Sequence, residues 1–299
     1  MTMLEKIQRL KAERRAIILA HNYQPDEIQA LADFNGDSLE LARKSAELDA
    51  EVVVFCGVHF MAETAAILNP EKKILLPDPR AGCPMADMVT AEALRTEKQK
   101  HPGTKVVCYV NSTAEVKAES DICCTSANAV SVVRSLGDVP VLFVPDKNLG
   151  QWVGGQLGRE LILWPGYCPT HQRIRLAELL AAKAAYPSAE ILAHPECAKD
   201  VRDAATHVLS TGQMCRHARA SSANEFIIVT EAGIFYRLRT ENPGKFFHAV
   251  GKGAWCPNMK KCTLEKVLWC LEDLAPEVRV DPAIALPAKR AIDAMLAVV

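Results

Sequence analysis

Three cysteines are placed to hold a metal. The chain has eleven, and three of them recur in Gly82-Cys83-Pro84, Gly166-Tyr167-Cys168-Pro169 and Gly253-Ala254-Trp255-Cys256-Pro257. Cys83, Cys168 and Cys256 lie 85 and 88 residues apart. Three thiolates with no fourth in phase suit a cubane [4Fe–4S] cluster in which one iron lacks a protein ligand. Such an iron could bind substrate and act as a Lewis acid. Zinc with three protein ligands and an open position is the alternative. The bland reading is three buried cysteines at loop ends, and the fixed period argues against it. Cys262 lies six residues past Cys256 and has no counterpart in phase. It reads as a structural or redox-sensitive thiol, close enough to compete with Cys256 as ligand or to pair with it. Cys56, Cys108, Cys123 and Cys124 lie in or beside apolar runs and read as small buried hydrophobes.

Groups able to move protons keep the same period. His21, Tyr109 and His194 each follow a β-branched run, at spacings of 88 and 85 residues. Asn111 and Glu196 sit just beyond. His21, His194, Tyr109 and Glu196 are the candidates for proton transfer. Tyr109 could be a general base only if a neighbouring cation or cluster lowers its pKa; Glu196 needs no such help. A second set opens helical stretches: Asp37-Ser38, Thr125-Ser126 and Ser210-Thr211. Unpaired N–H groups at a helix start attract carboxylate or phosphate, and Ser38, Ser126 and Thr211 add a hydroxyl each. Alone, each reads as a plain N-cap. Three on one cavity point to a small substrate of two or three negative charges.

Other signals carry less. His59, His101, His171, His207, His217 and His248 lack threefold partners and receive no role. Gly154-Gly155-Gln156-Leu157-Gly158 looks like a phosphate loop but lacks the Lys-Ser/Thr ending. Lys260-Lys261 reads as a solvated basic pair.

The elements that must position these residues also repeat. First strands are expected over 15–20, 105–108 and 190–193. Third strands fall at 51–56, 139–144 and 225–229, and fourth strands at 73–76, 161–164 and 246–250. Helices are expected over 39–48, 127–136 and 212–220. Strands alternating with helices predict an α/β fold with parallel sheets. The expected architecture is three repeated α/β/α sandwich units, each with a four-stranded parallel sheet, around a pseudo-threefold axis. The units are 1–84 with Cys83, 85–170 with Cys168, and 171–299 with Cys256 and the C-terminal helices, one of which is expected to pack back on the first unit. Ligands bind beyond the carboxyl ends of parallel strands, which is where the polar residues above fall.

Composition is that of a soluble globular chain, 49% hydrophobic and 24% charged. A net charge of −1 supplies no field for nucleic acid or an anionic membrane. The charged N-terminus is no signal peptide, and the longest apolar runs are strand-sized. A cytoplasmic protein with neither nucleic-acid nor membrane partners is expected.

The motifs resemble those of the quinolinate synthase (NadA) family of NAD biosynthesis over essentially the whole chain. The matching segments include Ala20-His21-Asn22-Tyr23-Gln24, Gly36-Asp37-Ser38, Tyr109-Val110-Asn111-Ser112, Cys124-Thr125-Ser126-Ala127-Asn128 and Pro145-Asp146. Further on come Gly166-Tyr167-Cys168-Pro169-Thr170-His171, His194-Pro195-Glu196-Cys197, Ser210-Thr211-Gly212 and Asn258-Met259-Lys260-Lys261. The resemblance implies three α/β/α domains and a [4Fe–4S] cluster on Cys83, Cys168 and Cys256. It implies condensation of iminoaspartate with dihydroxyacetone phosphate to quinolinate, with loss of phosphate and water. His21, Ser38, Tyr109, Asn111, Ser126, His194, Glu196 and Thr211 fall on the family's substrate pocket, and Tyr23 resembles its gating tyrosine. A functional link to an aspartate-oxidising enzyme that supplies iminoaspartate is also implied. Some relatives carry several cysteines in the last ligand segment, where this chain has only Cys256 and Cys262. The rival readings are a zinc-dependent lyase or hydrolase of a small anion on the same fold, and a non-enzymatic redox or anion sensor.

Overall fold

The β-branched runs form strands because their side chains pack on both faces of a covered sheet. The computed structural model of the chain describes residues 1–47 and 49–298. The first unit contains β1 (Ala16–His21), β2 (Phe34–Gly36), β3 (Val52–Cys56) and β4 (Lys73–Leu75). The second contains β5 (Lys105–Tyr109), β6 (Ile122–Cys124), β7 (Val141–Val144) and β8 (Ile162–Leu163). The third contains β9 (Glu190–Ala193), β10 (His207–Val208), β11 (Glu225–Val229) and β12 (Phe246–Ala249).

Each set forms one four-stranded sheet, and the strand order repeats: β2-β1-β3-β4, β6-β5-β7-β8 and β10-β9-β11-β12. All strand pairs are parallel. The central strands read as unbroken apolar runs, and β3 and β7 are buried along their whole length. Helices cover both faces, as parallel sheets require.

Differences from the sequence reading fall at element ends. β7 begins at Val141 rather than 139, because Pro140 has no N–H to donate and offers only its carbonyl, to Lys105 N at 2.8 Å. The edge strand β8 keeps only two residues. The helix expected over 39–48 runs Ser38–Glu47, and position 48 lies outside the described residues. The helix expected from 127 begins at Ala129, after a turn that Thr125 closes. Gly154 and Gly155 lie inside the helix Lys147–Leu157, which Gly158 ends at φ 64°, so this segment is a helix end and not a phosphate loop.

Both C-terminal helices leave the unit they follow. Leu264–Asp273 packs on Met3–Glu13 and β3, where Val267, Leu268 and Leu271 join Ile7, Leu10 and Val54 in one apolar cluster. Pro282–Ala297 packs on the helix Ala114–Ala118 and on β6. Among the described residues no helix is long and apolar enough to cross a membrane.

Candidate active site

The carboxyl ends of the three sheets open onto one cavity of about 180 Å³. A single water needs roughly 10–15 Å³ of such space, so the cavity suits a small metabolite and not a polymer. His21, Tyr23, Ser38, Tyr109, Asn111, Ser126, His194, Glu196 and Thr211 all line it, together with Cys83, Cys168 and Cys256.

The helix starts separate capping from other work. Asp37, not Ser38, caps the first helix, accepting from Leu39 N at 3.1 Å and Glu40 N at 3.0 Å. Ser210, not Thr211, caps the third through a capping box with Gln213. Thr125, not Ser126, accepts from Ala127 N at 3.2 Å. The residue before each candidate does the local bonding, which leaves Ser38 and Ser126 on the cavity wall. Thr211 Oγ1 accepts from Asn22 Nδ2 at 3.0 Å and still lines the cavity.

His21 and His194 share one local bond. Each Nδ1 accepts the backbone N–H two residues on, from Tyr23 at 3.2 Å and from Glu196 at 3.3 Å. The neutral ring must then carry its proton on Nε2. Burial pushes both imidazoles down to about 3, and each also feels another histidine. At neutral pH both are uncharged N–H donors.

Glu196 is the hub. Its Oε1 accepts from the Tyr109 hydroxyl at 2.6 Å, and its Oε2 lies 2.7 Å from His171 Nδ1. Burial would raise this carboxyl, but His171 and His194 beside it, with the bonds from His171 and Tyr109, hold it below the usual carboxylate range. Burial pushes the Tyr109 phenol up, and the Glu196 charge pushes it further. The protein's own groups therefore make Tyr109 a proton donor; the lowering that a general base would need is absent from them. Asn111 Nδ2 reaches Glu196 Oε1 at 3.5 Å, and its buried Oδ1 has no protein partner.

The cysteines fit a cluster better than one ion. Zinc holds thiolates at about 2.3 Å, so its ligand atoms must lie within roughly 4 Å of one another. Among the described residues, the sets of three ligand atoms within 4.8 Å of each other are Cys168–His171–Glu196 and Glu190–His207–His217. The three cysteine sulfurs form no such set, and as they stand they suit a polynuclear centre better than one ion. Backbone N–H groups of Met85 and Ala86 point at the Cys83 sulfur, and that of His171 at Cys168. Such bonds stabilise cluster thiolates. Burial pushes the Cys83 thiol up to about 12 and raises Cys168 as well. These are not the exposed, acidic thiols of a redox sensor, and a bound metal would have to displace their protons. Cys262 does not line the cavity; it is a free thiol buried in the apolar cluster that packs on the first sheet, hydrogen-bonded to the Cys56 thiol.

Several site residues have no mark in the sequence pattern. His171 joins the second unit to the third: Nδ1 lies 3.2 Å from Cys168 Sγ, and Nε2 lies 2.7 Å from Thr230 Oγ1. Thr230 also meets the Tyr23 hydroxyl at 2.6 Å. Arg173 adds a cation to the lining. Lys260 corrects the reading of a solvated pair: its side chain is only 9% exposed, 2.9 Å from the fully buried Glu231, and it donates to the Tyr23 carbonyl. Glu231 in turn accepts from Cys256 N at 3.1 Å and Gly233 N at 2.7 Å. The third cysteine is thus tied to Tyr23 through one ion pair.

The family model described as "Quinolinate synthetase A protein" matches residues 5–297. The chain belongs to this family. It is 58% identical over 294 residues to the quinolinate synthase of Dehalococcoides mccartyi strain CBDB1, covering 98% of this chain and 97% of the relative. It is 55% identical over 295 residues to the quinolinate synthase of Pelobacter propionicus, with 98% and 97% covered. It is 53% identical over 297 residues to that of Geobacter metallireducens, with 99% and 98% covered. These matches cover nearly the whole of this chain and of each relative, so the residues that line the cavity all lie within the family match. The zinc lyase and sensor readings find no support among these relatives.

Proposed function

We propose that this quinolinate synthase of NAD biosynthesis condenses iminoaspartate with dihydroxyacetone phosphate in the central cavity, with a [4Fe–4S] cluster on Cys83, Cys168 and Cys256. One observation carries the reading: one cysteine from each repeated unit reaches a cavity that His21, His194, Ser38, Ser126, Thr211, Tyr109, Glu196 and Arg173 also line. The units 1–84, 85–170 and 171–299 each supply one ligand. When bound, the cluster would offer a Lewis-acidic iron without a protein ligand.

The chain's own residues bind and move protons. Both substrates are anionic. Ser38, Ser126 and Thr211, the Nε2–H groups of His21 and His194, and Arg173 offer donors to carboxylate and phosphate oxygens. Neutral histidines bind an anion without the desolvation cost of a buried cation. Glu196, held ionised, takes a proton from a substrate carbon or nitrogen, and Tyr109 gives one to a departing or developing oxygen. Their 2.6 Å hydrogen bond lets the proton Glu196 gains restore the one Tyr109 loses. Tyr23 closes the wall beside His21, its ring edge-on at 4.7 Å.

The test is anaerobic turnover with both substrates. Cluster-loaded protein is expected to form quinolinate and release phosphate. Cys168→Ala is expected to abolish both while its circular dichroism stays unchanged. Undiminished turnover by Cys168→Ala would refute the ligand assignment.

A further inference from the structure

A second set of metal-ligating side chains lies away from the active-site cavity, on the edge of the third sheet. Glu190 opens β9 and His207 opens β10. These strands pair in parallel with His207 opposite Leu192. Side chains alternate along a strand, so Glu190 and Leu192 share a face, and His207 stands diagonally from Glu190 on that face. His217 comes down on them from the last turn of the helix Thr211–Ala220.

The ligand atoms converge. Glu190 Oε2 lies 2.6 Å from His217 Nε2 and 4.0 Å from His207 Nε2, and all three lie within 4.8 Å of one another. The two rings sit 4.4 Å apart, tilted at 52°. Ser221 Oγ donates to Glu190 Oε1 at 3.1 Å, which fixes the carboxylate and leaves Oε2 facing both imidazoles. Burial alone would raise this carboxyl, but the bonds from His217 and Ser221 and the neighbouring histidines lower it, so it is an anion. Around a tetrahedral ion with bonds near 2.0–2.1 Å, ligand atoms stand about 3.3 Å apart. The observed 2.6 and 4.0 Å bracket that spacing, and small side-chain rotations reach it. Side-chain exposures of 41%, 26% and 27% for His207, His217 and Glu190 leave a path for an ion and room for water as the remaining ligand.

We propose that Glu190, His207 and His217 form a second metal site, which takes one zinc ion. Two imidazoles and one carboxylate are borderline donors; they favour zinc and its late transition-metal neighbours over magnesium or calcium, which prefer all-oxygen sites. The position is favourable for a cation, since the carbonyl end of a helix carries partial negative charge. Lys245 already bonds two carbonyls there, of Ala218 and Ser221, and meets part of that charge. The ion joins β9, the two-residue edge strand β10 and the covering helix. Thr211, at the other end of that helix, lines the active-site cavity. Zinc would therefore act as a clip on the most weakly paired strand of the third sheet, and takes no part in the reaction.

The experiment uses protein with its cluster intact, so that the three cysteines are occupied. Zinc is titrated against a chromophoric chelator, and the thermal midpoint is read with and without the metal. One zinc per chain and a raised midpoint are expected, with cluster absorbance and turnover unchanged. His207→Gln alters a half-exposed side chain and should fold normally; it is expected to weaken zinc binding by at least about tenfold. Glu190→Gln keeps the shape and the Ser221 bond and should do the same. Binding that is unaffected in both variants, absence of zinc binding by the wild-type protein, or zinc uptake matched by release of iron would each overturn the proposal.

Discussion

The third cysteine was the ligand that sequence reasoning left contested, and single residues decide how it is held. Cys262 sits in an apolar cluster with Cys56 and is not part of the cavity wall. Cys256 is fixed instead by its backbone N–H on Glu231, whose charge is matched by Lys260. Removing one partner of a buried pair leaves the other uncompensated, which costs about 3–5 kcal/mol. Glu231→Gln keeps an acceptor but strands the ammonium of Lys260. It is expected to lower stability by about 3 kcal/mol and to speed iron loss to a chelator, because the Cys256 loop loosens. Adding Lys260→Met should restore part of the stability. Chemical denaturation and the rate of iron release measure both effects, and wild-type values in Glu231→Gln would contradict this assignment. The sequence reading passed over Glu231 and took Lys260 for half of a solvated pair. Glu231 does have an in-phase counterpart, Asp146, which lies 85 residues earlier and accepts from the Cys168 backbone N–H, but a Glu or Lys that the fold buries looks in the sequence like any solvated surface charge.

At the scale of elements, the strands and the residues just after them were legible because a parallel sheet writes a strong pattern: β-branched runs, then polar residues at the carboxyl end. The period multiplied that pattern by three, so His21, Tyr109 and His194 could be aligned without a structure. What escaped is what no period marks. His171 reaches the site from the short helix Pro169–Gln172 just after Cys168 and meets Thr230 of the third unit; the turns at the same place after Cys83 and Cys256, Ala86–Met88 and Met259–Lys261, carry no histidine. Helix starts were placed to within one or two residues, and the distinction between capping Asp37 or Ser210 and uncapped Ser38 or Thr211 depended on coordinates. Gly233 shows how closely two elements meet at the cavity. A Cβ there would stand 2.6 Å from the Tyr23 backbone. Gly233→Ala is expected to push the helix Ile234–Glu241 off Tyr23 at a cost of about 1–3 kcal/mol, with KM raised more than kcat is lowered. An unchanged KM would show that Tyr23 tolerates the shift.

At the scale of the whole molecule, the site is built from three units, so stability and activity share the same buried groups. His21 and His194 have folded pKa values of about 3 against 6.5 for a free imidazole. Above pH 6.5 both states are neutral there and nothing is lost. As pH falls from 6.5 toward 3, the unfolded chain takes up protons that the folded chain refuses, so stability falls. By pH 5 the loss is about 2 kcal/mol for each histidine. Denaturant midpoints of cluster-free protein at pH 7.5 and pH 5 should show this drop, and His194→Gln should remove about half of the part due to these two residues. An identical drop in that variant would place the acid sensitivity elsewhere. The C-terminal helices bind the units together, Leu264–Asp273 on the first and Pro282–Ala297 on the second, which returns the chain to the units it began with.

We propose that one cysteine from each unit, and no other, holds the cluster. Iron content after anaerobic reconstitution tests it most directly. Wild-type and Cys262→Ala protein are expected to hold roughly four irons per chain, while Cys83→Ala, Cys168→Ala and Cys256→Ala each lose most of theirs. Full iron content in Cys256→Ala, or its loss in Cys262→Ala, would rule out Cys256 as the third ligand.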